Sequence, residues 1–166
     1  MVFLRFEVIS AFLLLTVSFS GCGQGKIDPN APANANTAAN TSENGNSPNT
    51  NVEELGVLIN VPFTAEDIVW KQSPSHKQLT AVFRFSNADC EKLVAEAAKA
   101  AKPQGITVPN ESWYPDDLIA LGDLSGDDTL KGTLYSANAF LQAPFNEGQL
   151  VRIDSTNYFI LEANAK

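Results

Sequence analysis

The chain has 166 residues, with 11 Lys and Arg against 19 Asp and Glu, for a formal net charge of −8. An acidic balance argues against a nucleic-acid partner and against electrostatic docking on anionic lipid, both of which need clustered cations. One histidine and two cysteines rule out a His-cluster metal site and a disulfide framework. The first element is the stretch Val8 to Phe19, apolar apart from Ser10, Thr16 and Ser18. At about a dozen residues it has the length of a secretory hydrophobic region, whereas a spanning helix needs roughly 17–25. Arg5 places a positive charge ahead of it, offset by Glu7.

The apolar run ends in Phe19-Ser20-Gly21-Cys22, an apolar residue and two small ones before a cysteine. This resembles the lipobox of bacterial lipoproteins, with Phe19 where leucine is usual. The resemblance covers residues 1–22 only. It implies a leader of residues 1–21, cut between Gly21 and Cys22, and a diacylglycerol on the Cys22 thiol. One acyl chain gives marginal binding at about 0.8 kcal/mol per buried CH₂, and two or more hold stably. The membrane is thus the expected partner at Cys22. Gly23 stands where the enterobacterial pattern uses Asp to retain a lipoprotein at the inner membrane. Its presence implies a cell-envelope protein at the outer membrane. The competing readings are an uncleaved anchor or an ordinary signal peptide.

Residues 23–52 consist almost entirely of Asn, Ala, Thr, Ser, Pro and Gly, and Ile27 is the only large aliphatic residue before Val52. Such a segment buries too little apolar surface to offset a chain entropy of about 1–2 kcal/mol per residue. Residues 22–52 therefore read as a lipidated cysteine and a disordered tether, with an r.m.s. reach of roughly 30 Å.

Residues 53–166 have the length of a single domain. Val57–Val61 reads as a short edge strand stopped by Pro62. Ile68–Ser73 and Leu79–Phe85 alternate as two strands of a hairpin over Pro74-Ser75-His76-Lys77. A helix opens at Ser86 or Asn87, carries the stripe Cys90, Leu93, Val94, Ala97, Ala98 and Ala101, and stops at Pro103. Pro115–Leu121 reads as a second, short helix with Gly122 past its end. Leu130–Ser136, Gln149–Asp154 and Tyr158–Glu162 read as strands, the last two joined over Ser155-Thr156-Asn157. The order predicts an α+β fold: a small antiparallel sheet of about four to six strands, with one main and one short helix on one face.

Each candidate site has a plain structural reading beside it. Cys90 lies near a helix N-terminus, where a thiol can be activated, yet it also falls on the apolar stripe, and His76 is distant in sequence. Trp70 reads as core. Asp123, Ser125 and Asp127 are spaced like part of a calcium loop, but Gly126 is misplaced for an EF-hand and no Glu falls at the twelfth position. No metal and no cofactor are expected. Glu111, Asp116, Asp117, Asp123, Asp127 and Asp128 share a window without Lys or Arg from Gln104 through Leu130. With Trp113 and Tyr114 beside them they form the candidate partner surface. The expectation is a lipid-anchored envelope protein with a non-catalytic binding or scaffolding domain. The alternatives are an inhibitor or immunity-type lipoprotein that holds a basic protein through this acidic surface, and a small hydrolase using its carboxylates.

Overall fold

The computed structural model describes residues 47–166. Gly21, Cys22 and the tether before Ser47 lie outside the described residues. Six strands form one antiparallel sheet in the order β1-β2-β6-β5-β4-β3. They are β1 (Asp67–Gln72), β2 (Gln78–Arg84), β3 (Gln104–Pro109), β4 (Thr129–Ser136), β5 (Phe145–Ile153) and β6 (Tyr158–Ala165). The helices are α1 (Val52–Leu58), α2 (Asn87–Ala100) and α3 (Asp116–Ser125). The expected α+β class with an antiparallel sheet and helices packed on it is therefore present. Among the described residues no helix is long and apolar enough to cross a membrane.

Residues of alternate parity on the strands bury two separate cores. One gathers Ile68, Trp70, Leu79, Ala81, Phe83, Phe159 and Leu161 with Leu55 and Ile59 of the α1 region and Cys90 and Leu93 of α2. The other gathers Val82, Val151, Ile153, Tyr158 and Ile160 with Tyr114 and Leu118 of the α3 region. The expectation that the helices share one face is thus corrected: α1 and α2 cover one side and α3 the other. Val82 gives the reason. It is apolar and buried on the face of β2 opposite Leu79, Ala81 and Phe83, so the sheet is sandwiched there.

The first core is built on aromatics. Phe83, Phe85, Phe140, Phe145 and Phe159 are fully buried. Phe83 stacks on Phe85 at 5.6 Å between centroids and tilts against Phe140 at 5.4 Å. Such pairs contribute about 0.5–1.5 kcal/mol beyond the area they bury.

Four elements differ from the sequence expectation. Val57–Val61 is not a strand, because Asn51 caps a helix ahead of it. The Asn51 side chain accepts from the backbone N–H groups of Glu53 and Glu54 at 3.0 and 3.1 Å, and both acids sit at the positive end of the dipole. Leu55 and Ile59 then fall on one helical face and bury, while Val57 stays 76% exposed. On α2 the buried stripe narrows to Cys90, Leu93 and Ala97, with Ala98 and Ala101 exposed. β3 is absent from the elements predicted above; it carries Gly105 and Pro109 and is an edge strand paired with β4, where proline is tolerated. α3 continues through Gly122 to an αL cap at Gly126, φ 78°. Gly122 is buried, and a Cβ there would overlap the side chain of Asn110.

Residues ahead of the expected boundary at Glu53 also bond to the sheet. Asn49 and Trp70 exchange two backbone hydrogen bonds of 2.8 Å, and the Trp70 indole donates to the Asn51 carbonyl at 3.2 Å.

Candidate functional site

The sheet face under α3 changes character from one register row to the next. Val69, Val82, Ile160, Val151 and Leu134 align across five strands as an apolar row. Two residues further along, Lys71, Thr80, Glu162, Gln149 and Ser136 align as a polar row. The α3 region contributes Leu118 and Tyr114 to the apolar core beside the first row. The second row lies at the margin of that core, and a cleft opens over part of it.

The loop from β3 into α3 forms the other wall. Tyr114 N–H bonds to the Glu111 carbonyl at 3.0 Å, tightening the turn. Trp113 and Tyr114 pack edge to face with centroids 4.8 Å apart. The cleft between loop and sheet has a volume of about 250 Å³ and is lined by Lys71, Gln72, Gln78, Thr80, Glu111, Trp113, Tyr114 and Glu162, among others.

Its electrostatics are mixed. The Lys71 ammonium sits over the Trp113 ring, 5.5 Å from the centroid, where the ring quadrupole attracts it. Glu162 accepts a 2.6 Å hydrogen bond from the Gln149 amide. Among the described residues none of the ion pairs includes Lys71, Glu111 or Glu162. Burial, then the charges of Glu111 and Glu162, push the Tyr114 hydroxyl well above its ordinary pKa. Tyr114 is therefore a neutral hydrogen-bonding group at every physiological pH.

The structure brings Glu111, Trp113 and Tyr114 of the expected partner surface into this cleft and leaves the other acids elsewhere. Asp117 accepts from the Tyr158 hydroxyl at 3.1 Å. Asp127 accepts from Ser125 and Thr129 at 2.6 and 2.7 Å, and these bonds hold its carboxyl below the usual range. Asp116, Asp123 and Asp128 are exposed. Among the described residues no group of three or more His, Cys, Asp or Glu is arranged to hold a metal. The resemblance to a calcium loop is a turn whose oxygens bond one another.

Cys90 is buried, its Sγ near the Phe85 and Asn157 carbonyls at 3.8 and 3.7 Å. Burial pushes its thiol pKa up, away from nucleophilic use. The His76 ring instead meets the Gln72 amide oxygen at 3.1 Å, on the hairpin.

Lys71, Gln78, Thr80 and Glu162 were not expected at the site. Strand alternation places Thr80 opposite Leu79, but the register that aligns it with Lys71 and Glu162 depends on strand order, which local pattern does not carry. No protein-family model, curated protein or solved structure matches the chain.

Proposed function

We propose that the chain is a lipid-anchored cell-envelope protein whose domain is a non-catalytic binding module. Cys22 carries the anchor, at the outer membrane, and the Asn-rich tether lets the domain search while the anchor stays fixed. The observation that supports the binding role is the Trp113 cleft. It joins a half-buried tryptophan, a neutral tyrosine, three charged groups and the Gln78 amide from three strands and one loop, the mixture of apolar wall and convergent polar groups found at recognition sites. The thiol and the imidazole, the customary nucleophile and base, are both engaged away from it.

Crosslinking in intact envelopes, with the anchored chain as bait, tests this reading. The expected result is an adduct that Trp113→Ala abolishes. An adduct pattern indifferent to Trp113, or none at all, would overturn it.

A second reading is favoured by the outer side of α3. Leu124 is 83% exposed and Leu121 38% exposed, beside Asp116, Asp117, Asp123, Asp127 and Asp128. That surface suits the inhibitor or immunity role, with a basic protein as partner. Salt separates the two readings, because exposed charge pairs are screened within about 8–10 Å at physiological ionic strength. An acid-driven complex weakens steeply as salt rises. The hydrolase alternative needs at least two carboxylates converging in one cleft; this one is lined by Glu111 of the acidic window and by Glu162 of β6.

A further inference from the structure

We infer that the Trp113 cleft binds a diamino monocarboxylic acid of the lysine type. This rests on the reading of the cleft as the domain's binding site and names its ligand. Three charged groups that form no ion pair among the described residues face one small cavity: the Lys71 ammonium and the Glu111 and Glu162 carboxylates. Lys71 and Glu162 lie in one register row with Thr80 between them. Two strand spacings separate their backbones by about 10 Å. A molecule placed between them bridges opposite charges at its two ends.

The complementary ligand offers one carboxylate to Lys71 and two amines to Glu111 and Glu162, which leaves the filled cleft neutral. Its methylene chain then lies along Trp113, an apolar wall whose polar neighbours are the Thr80 hydroxyl and the Gln78 amide. A volume of about 250 Å³, below the roughly 300–1,000 Å³ of drug-sized sites, suits a ligand of single amino-acid size. Charge-assisted hydrogen bonds at both ends supply the affinity.

Isothermal titration of the purified full chain in detergent micelles, with L-lysine and with 1,5-diaminopentane, decides the matter. L-lysine is expected to saturate one site at millimolar concentrations or below. Lys71→Met is expected to weaken L-lysine about tenfold or more while the diamine binds as well or better, because only L-lysine presents a carboxylate and the diamine loses a repelling ammonium. Glu162→Gln is expected to weaken both, and Glu111→Gln replaces it as the test if circular dichroism shows that variant unfolded. No saturable heat with L-lysine overturns the inference, as does an equal loss of both compounds in Lys71→Met. Trp113-dependent crosslinks without lysine binding would remove the ligand class and leave the binding module in place.

Discussion

Gly122→Ala sets two opposite effects against each other inside α3. Alanine is a better helix former than glycine by about 1 kcal/mol, which alone would stabilise the domain. The new methyl, however, would overlap the Asn110 side chain from Cβ to the amide nitrogen, so no terminal rotation relieves it. Asn110 is also fixed at its backbone, where its N–H bonds to the Asp128 carbonyl at 2.9 Å, and its amide donates to the Ile119 carbonyl at 3.1 Å. Moving it forfeits about 1 kcal/mol of hydrogen bonding on top of an overpacking cost of about 1–3 kcal/mol. The net expectation is destabilisation of about 1–3 kcal/mol. Each kcal/mol lowers Tm by about 4 °C for a domain of this size. Thermal unfolding followed by circular dichroism measures it. A variant more stable than the parent would refute the close packing of α3 on the end of β3, and with it the placement of the Trp113 loop.

Phe83→Ala should cost about 3–5 kcal/mol by urea titration, since it empties the centre of the stacked aromatics. Ser86→Ala should cost about 1 kcal/mol, because Ser86 Oγ accepts the Asp89 N–H at 3.2 Å and caps α2. Burial, then the bond to Asp117, pushes Tyr158 up to about 12. A raised acid stays protonated longer in the fold, so its stabilisation is complete below pH about 10 and is lost as the pH climbs toward 12; the loss is on the order of 2 kcal/mol and is smaller in Tyr158→Phe. In a Cys22→Ser chain, Cys90 should resist a thiol reagent until denaturant is added, whereas rapid native labelling would contradict its burial.

Where one residue and its neighbours decide the structure, the sequence was sufficient. The β1–β2 and β5–β6 hairpins and the body of α2 follow from alternation, turn residues and a serine cap. Where a distant contact decides, it was not. Val57–Val61 looks extended by composition, but the cap at Asn51 and burial of Leu55 and Ile59 make its first two residues helical. Gly122 looks like a helix end because the reason for a glycine there, Asn110, lies on the preceding loop. β3 carries Gly105 and Pro109, which punctuate a loop equally well. The same limit applies to the cleft. Trp113, Tyr114 and Glu111 are adjacent and legible as a cluster, while Lys71, Thr80 and Glu162 meet them only through strand order.

The proposed role rests on an anchor at Cys22, so the most direct measurement is mass spectrometry of the N-terminal peptide from chain purified out of native envelopes. The account predicts a peptide that begins at Cys22 and carries the mass of a diacylglyceryl group on its sulfur. A leader still attached, or an unmodified Cys22 thiol, would contradict it.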